Sequence, residues 1–408
     1  MLDHVDATVL DRCLVPAYQP VVSLPGGHVV GYEALARWPE LGNPAPQKVL
    51  AYAQSLGCLE TLDRACITSA AGCAIRQRLT AGSLLFINCE PGGDYADLAD
   101  DPVMTRARER FEIVFELTER SLLDHPQALL RKVSDMRADG VAIALDDVGS
   151  HPASAALLDI LSPDIVKLDM GLLQRQPRPD QARTIGAVLA YHERADATIV
   201  AEGIETEDQV KQAMALGASL GQGYRFGRAD PRLGATVSNY SLKPVARQTV
   251  TSGHSLFSLV APRAPIRITH TETMVALSRL IADQAQCAAD PPIVLTALQK
   301  SEYYNGDLRD RYERMAARSP LVAVFSDNAD RDFGTGVRAV AIDPADPLSD
   351  EWALLALGPH FAAALVARLR TPRSDLGVPD IDSQVDLRIT YDRSLVVDLA
   401  RSLLGRMP

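Results

Sequence analysis

Carboxylate and amide side chains stand at or near the C-terminal ends of successive apolar runs in the first half of the chain. Glu33 lies in V-V-G-Y-E-A-L-A-R, which also carries Arg37, and Asn88 ends L-L-F-I-N. Glu116 and Glu119 lie in V-F-E-L-T-E, and Asp146 and Asp147 end A-I-A-L-D-D. Lys167 and Asp169 lie in I-V-K-L-D, Glu202 and Glu205 in I-V-A-E-G-I-E, and Gln222 in L-G-Q-G-Y. Carboxylates gathered at one place repel one another and climb in pKa unless a cation neutralises them, and hard divalent cations with oxygen ligands are the natural remedy. Adjacent Asp146 and Asp147 would serve two metals, an arrangement that stabilises both the attacking and the leaving oxygen of a phosphoryl transfer. Arg37 would grip a phosphate through its planar fork. Lys167 would orient a water or balance charge.

Such a site needs elements that bring the strand ends together. Strand-like runs fall at 17–24, 29–38, 84–89, 113–118, 141–148, 165–170 and 198–204. Helical spacing fills most intervals, at 49–56, 62–79, 126–138, 152–161, 183–194 and 206–216. The alternation predicts an α/β fold, either an open sheet or a closed barrel. A parallel barrel collects its strand ends at one face, so successive polar ends would converge there.

The rest of the composition bounds the alternatives. The chain has 408 residues, 47% hydrophobic and 23% charged, which suits two globular domains. Its net charge of −11 argues against general nucleic-acid binding, which needs a basic footprint; ordinary surface charge accounts for most of that excess. The cysteines Cys13, Cys58, Cys66, Cys73, Cys89 and Cys287 form no C-x-x-C pair, so reduced thiols in a cytoplasmic protein are expected. The opening MLDHVDATVLDRC has no apolar signal-peptide core, and no apolar run reaches the ~20 residues of a membrane span.

The motifs Y-E-A-L-A-R, F-I-N, F-E-L-T-E, L-D-D-V-G, V-K-L-D, A-E-G-I-E and Q-G-Y occur in the order found in EAL domains, and the first part of the chain resembles these bacterial phosphodiesterases of cyclic diguanylate. The resemblance implies a modified TIM-type (β/α)8 barrel with one antiparallel strand, followed by a smaller α+β domain. It implies metal ligation by Glu33, Asn88, Glu116, Asp146, Asp147 and Glu202, with Mg2+ or Mn2+ as the metal, two per site. Glu33, Lys167 and Glu202 would be catalytic, Lys167 contacting the hydrolytic water. Arg37 and Gln222 would bind the substrate, and Glu119 would tether the loop after the Asp pair. The implied reaction opens cyclic di-GMP to linear pGpG, and a homodimer is expected.

One loop departs from the family pattern. Where EAL domains read D-D-F-G-T-G, this chain has Asp146-Asp147-Val148-Gly149-Ser150-His151. A second reading therefore stands beside the enzyme: a cyclic di-GMP receptor or scaffold whose altered loop Val148–His151 impairs cutting. Other residues have plain alternatives. Asn88 would cap the next segment, Glu119 and Glu205 would be charges at helix starts, His151 a surface loop residue, and Asp169 a support behind the site.

The boundaries expected are 1–238 for the barrel, 239–255 for a linker and 256–408 for the second domain. In that domain helices are predicted at 271–286, 306–318 and 352–369, strands at 292–297, 321–326 and 337–342, and a helix at 394–404. Asp332-Phe333-Gly334 has no companion kinase motifs and reads as a turn. Tyr303, Tyr304 and Trp352 either line a ligand pocket or pack a core. The domain resembles the DICT sensory domain, which implies that it senses an unidentified signal or binds a protein partner.

Overall fold

The structure is a computed structural model that describes residues 11, 13–24, 26–118, 123–150, 154–173, 177–236, 240–243, 245, 253–370 and 383–408. Glu119 and His151 lie outside the described residues. The chain divides into two compact units. The first takes in Met1–Leu122, Ala128–Ser154 and Ser162–Ala246; the second takes in Leu123–Gln127, Ala155–Leu161 and Arg247–Pro408.

Strands and helices alternate through the first half: β1 (Val15–Ser23), β2 (Val29–Arg37), α1 (Pro46–Ser55), α2 (Leu59–Arg76), β3 (Leu84–Asn88), α3 (Ala96–Ala99), α4 (Pro102–Arg108), β4 (Glu112–Thr118), α5 (Pro126–Ala138), β5 (Ala142–Val148), α6 (Ser154–Leu161), β6 (Ile165–Leu168), α7 (Pro179–Ala195), β7 (Thr198–Ala201), α8 (Glu207–Ala215) and β8 (Leu220–Gln222). Local chemistry sets several of the helix starts. Proline opens α1, α4 and α7, where its missing N–H costs nothing. Asp101 caps α4 through the N–H groups of Val103 and Met104, and Thr206 with Gln209 forms a capping box on α8.

β1–β8 close into a barrel. β2 through β8 run parallel, and β1 is antiparallel to both of its neighbours, β2 and β8. Val21, Val30, Leu84, Phe86, Val114, Ala144, Ile165, Val200 and Leu220 meet in one buried apolar cluster. Side chains two residues apart on a strand share a face. The next inward position after the cluster is therefore Asn88 on β3, Glu116 on β4, Asp146 on β5 and Lys167 on β6. After β7 it is Glu202, and on β8 it is Gln222. An apolar plug thus carries a polar layer directly above it. On β2 the position two before Glu33 is Gly31, where a Cβ would come 2.2 Å from the Leu84 carbonyl oxygen.

Three elements of the barrel differ from the sequence reading. β8 is a strand although its L-G-Q core is short and glycine-containing; pairing with β1 and β7 supplies what propensity does not. The short helices α3 and α4 carry too few turns for periodicity to reveal them.

The second unit contains α9 (Leu256–Leu259), β9 (Arg267–His270), α10 (Thr271–Cys287), β10 (Ile293–Ala297), α11 (Gly306–Ala316), β11 (Val322–Ser326), β12 (Val337–Ala341), β13 (Glu351–Leu357), β14 (Ala362–Leu369), β15 (Gln384–Thr390) and α12 (Arg393–Leu404). Its strands form a seven-stranded sheet in the order β12-β11-β10-β13-β14-β15-β9. β10, β11 and β12 are parallel, and the remaining neighbours are antiparallel. The helix expected over 352–369 is a hairpin instead. Every residue of β13 is buried, and a short fully apolar run has no period that separates helix from strand. Gly358 and Pro359 then break the run, and the Gly358 N–H donates to the Phe361 carbonyl at 2.8 Å to set the turn. Asp332-Phe333-Gly334 is a turn, with the Gly334 N–H donating to Asp332 Oδ1 at 2.9 Å and φ of 106° at Gly334.

Candidate functional site

The polar layer converges on Lys167. Its ammonium is 1% exposed and stands 2.7 Å from Glu116 Oε1, 2.9 Å from Asp146 Oδ1, 2.9 Å from Glu202 Oε1 and 3.6 Å from Glu33 Oε2. Side-chain amides fix two of these acids. Asn88 Nδ2 donates to Glu116 Oε2 at 3.1 Å and to Glu33 Oε1 at 3.3 Å, and Gln222 Nε2 donates to Glu33 Oε2 at 2.6 Å. Residues on β2, β3, β4, β5, β6 and β8, with Glu202 just past β7, are therefore joined in one network.

The electrostatics follow from burial. Burial drives Lys167 toward its neutral form, but Asp146, Glu116, Glu202 and Glu33 outweigh that and hold its pKa well above the usual lysine value. Burial, reinforced by the charge of Glu33, pushes Glu116 well above the usual carboxylate range. Glu202 is pushed up to about 8, by burial first and then by Asp146 and Glu33, against the pull of Lys167. Glu33 goes the other way. Burial opposes its ionisation, yet Lys167 and the side-chain hydrogen bonds led by that of Gln222 bring it below its ordinary value.

The donor set fits a hard divalent cation. Carboxylate oxygens of Asp146, Asp147 and Glu202 lie within 4.8 Å of one another. The buried Gln222 Oε1 accepts no hydrogen bond among the described residues, while Glu116 Oε1 and Asp146 Oδ1 face the Lys167 ammonium. Asp147 sits at φ 55°, a left-handed turn at the end of β5 that sends it outward, where it is exposed, while Asp146 stays buried.

The remaining sequence candidates fall around this centre. Arg37 ends β2, is half-buried, donates from Nη1 to the Ala36 carbonyl at 2.9 Å, and has no carboxylate partner among the described residues. Asp169 Oδ1 accepts from the Gly171 N–H at 2.8 Å and so shapes the turn after β6. Glu205 is exposed just before α8. In the departing loop, Val148 is a buried strand residue paired with Leu168. Sequence reasoning missed a buried acid beside the barrel, Asp63 on α2, whose carboxylate accepts the Glu90 N–H at 3.2 Å. Its apolar helical neighbours gave no sign of it.

Comparison with known proteins agrees with this architecture. A family model described as EAL domain matches residues 5–229, and the chain belongs to the EAL domain family. A second, the sensory domain in diguanylate cyclases and two-component systems (DICT), matches residues 253–370. The chain is 29% identical over 222 residues to the probable cyclic di-GMP phosphodiesterase PdeG of Escherichia coli K12, covering 52% of this chain and 44% of that protein. It is 29% identical over 224 residues to the cyclic di-GMP phosphodiesterase RocR of Pseudomonas aeruginosa PAO1, covering 52% of this chain and 57% of that protein. A solved complex of the PaMucR phosphodiesterase with c-di-GMP is 30% identical, covers 54% of this chain and 98% of that one, and has a TM-score of 0.46. The chain thus spans about half the length of these curated relatives, 44% and 57%. Among the described residues no helix is long and apolar enough to cross a membrane.

Proposed function

We propose that the barrel is a phosphodiesterase that hydrolyses cyclic di-GMP to linear pGpG with bound Mg2+ or Mn2+, two ions per site. The observation that carries this is the convergence of Glu33, Glu116, Asp146 and Glu202 on one buried ammonium. The relatives named as cyclic di-GMP phosphodiesterases supply the substrate class.

In this reading Glu33, Asn88, Glu116, Asp146, Asp147 and Glu202 hold the metal. Bound there, a divalent cation supplies Lewis acidity and offsets the charge that develops on the phosphoryl oxygens. Lys167, with its pKa held high, stays protonated at neutral pH; it serves as a fixed donor to the hydrolytic water and not as the base. Glu202, pushed up to about 8 by burial and its acidic neighbours, would be held ionised by a cation bound beside it and keeps its proposed catalytic role as a ligand. Arg37, lacking an acidic partner among the described residues, is free to grip a substrate phosphate. Gln222 fixes Glu33 and keeps a bare Oε1 to accept from the substrate. Glu119 keeps its proposed role of tethering the loop after the Asp pair, tested by Glu119→Ala.

Regulation by the C-terminal unit belongs to the same proposal. Leu123–Gln127 and Ala155–Leu161, which follow β4 and β5 in the chain, group with that unit. Within it Arg393 pairs with Asp159 at 2.6 Å, Arg401 donates to the carbonyls of Ile160 and Asp159, and Arg338 donates to the carbonyl of Leu123. A rearrangement of the unit would be felt through the covalent chain at the strands bearing Glu116 and the Asp pair. The expected homodimer, the cytoplasmic location and the boundaries 1–238, 239–255 and 256–408 rest on the family resemblance and on the free cysteines; light scattering and limited proteolysis test the dimer and the boundaries.

The test is chromatographic detection of pGpG after incubation of the full chain with cyclic di-GMP and Mg2+ or Mn2+. Tight nucleotide binding without pGpG would replace the enzyme with the receptor reading.

A further inference from the structure

Asn88 is the last residue of β3 and is exposed, so the chain that follows it bears on where its amide stands. The Cys89 N–H donates to the Glu116 carbonyl at 3.0 Å and ties the first residue past β3 to β4. The next residue, Glu90, is gripped on its N–H and on its carbonyl by buried charge. Both carboxylate oxygens of Asp63, on α2, accept the Glu90 N–H, at 3.2 and 3.3 Å. The Lys132 ammonium, on α5, donates to the carbonyls of Glu90 at 2.6 Å and Gly92 at 2.9 Å. The Cys89 thiol, also buried, donates weakly to Asp63 Oδ2 at 3.9 Å.

A neutral donor and a neutral acceptor would satisfy the same backbone groups. Aspartate and lysine are almost never buried unless paired, because burial opposes the charge of each. Charge-assisted hydrogen bonds are in return shorter and roughly twice as strong as neutral ones. Two such ions, Asp63 and Lys132, reach this segment from two different helices and hold it stiffly. The segment begins one residue after Asn88, whose Nδ2 donates to Glu116 Oε2 and Glu33 Oε1 and whose Oδ1 is the atom left for a cation.

We propose that Asp63 and Lys132 are positioning residues for Asn88: by fixing the segment from Cys89 to Gly92 they hold the Asn88 amide in register with Glu116 and Glu33. Both act through the chain that leaves β3. Loosening that segment spreads the orientations of the amide and weakens cation binding without removing a ligand. The inference rests on the proposed metal reading, in which Asn88 is a ligand.

In the test, Mn2+ is titrated into the metal-free full-length chain at pH 8, and the free ion is counted by its electron paramagnetic resonance signal. Asp63→Asn and Lys132→Gln each keep a hydrogen-bonding group and remove the charge. Each should weaken Mn2+ binding roughly tenfold, the lower end of the loss that follows removal of an outer partner of a ligand. Asn88→Ala should also bind more weakly, and adding either change to it should cost nothing further. A merely structural role would carry its loss undiminished into the Asn88→Ala background. Wild-type affinity in either folded variant, or that undiminished loss, overturns the proposal. A wild-type chain that binds no Mn2+ overturns the metal reading and this inference with it. If one variant does not fold, as judged by circular dichroism, the other decides.

Discussion

The Lys167 ammonium stands 2.7 Å from Glu116 Oε1, and Glu116 is 0% exposed. Such a pair, sunk at the top of an apolar plug, is stable only because further acids share the ammonium and amides share the acids. Replacing Lys167 by Met removes the cation that, among the described residues, these carboxylates hold in common. We expect a loss of about 3–5 kcal/mol, the usual consequence of breaking a buried pair. Turnover should fall by about a hundredfold or more, as when a preorganised charge is lost. Mn2+ should raise the melting temperature of the variant more than that of the wild type. Equal shifts would contradict a cation site built from these acids.

Asp63 predicts a pH effect outside the proposed metal ligands. Burial raises its pKa from 3.8 to about 7, with the charge of Glu90 adding and Lys132 and the Glu90 N–H opposing. A carboxyl raised in the folded state adds stability that is fully present below the unfolded value. That stability is lost as pH rises through the folded value. Each pKa unit is worth about 1.4 kcal/mol. Asp63→Asn should therefore gain on the wild type as pH rises from 5 to 8, by roughly 2–4 kcal/mol at most. Melting curves of both proteins across that range check it, and a constant difference between them would refute the assignment.

Gly223 fixes the end of β8. Its φ is 153°, and a Cβ there would meet the Ile204 backbone N and O at 2.2 Å. Ile204 N–H donates to the Gln222 carbonyl at 2.9 Å, so this contact also locates the amide that holds Glu33. Gly223→Ala should cost about 1–3 kcal/mol, as overpacking does, and should lower turnover beyond what the stability loss explains. Melts and rates measured well below the transition separate the two effects.

The Arg393–Asp159 pair predicts a regulatory phenotype. Arg393 also donates to the carbonyls of Gly358 and Pro359, so it ties α6 to the turn between β13 and β14. Arg393→Met and Asp159→Asn should each change the phosphodiesterase rate several-fold in the same direction. The double variant should match Arg393→Met, since that change already removes the contact that Asp159→Asn weakens. Additive effects, or none, would place the coupling elsewhere.

Much of the barrel was legible because its physics is local. Residues two beyond the plug positions face the same way, so Phe86 then Asn88, Val114 then Glu116 and Ile165 then Lys167 announce a polar layer above a core. The order of those residues carried the family resemblance as well. Other features depend on partners far away in sequence. Nothing near Lys167 in the chain shows that four acids share it, and nothing near Asp63 shows that Glu90 closes over it. The β13–β14 hairpin was read as a helix because burial on both faces erases the strand period. Tyr303 and Trp352 gave two readings from sequence, and in the structure Trp352 belongs to the buried core of the second unit with Tyr303 packed against it.

The most direct measurement is the release of linear pGpG from cyclic di-GMP by the full chain, with Mg2+ or Mn2+ and again with a chelator, beside Glu33→Ala under the same conditions. The account predicts product with metal, none with chelator, and none from Glu33→Ala even though that variant melts cooperatively. No product from folded wild-type protein in either metal, or equal product with the chelator or from Glu33→Ala, would contradict it.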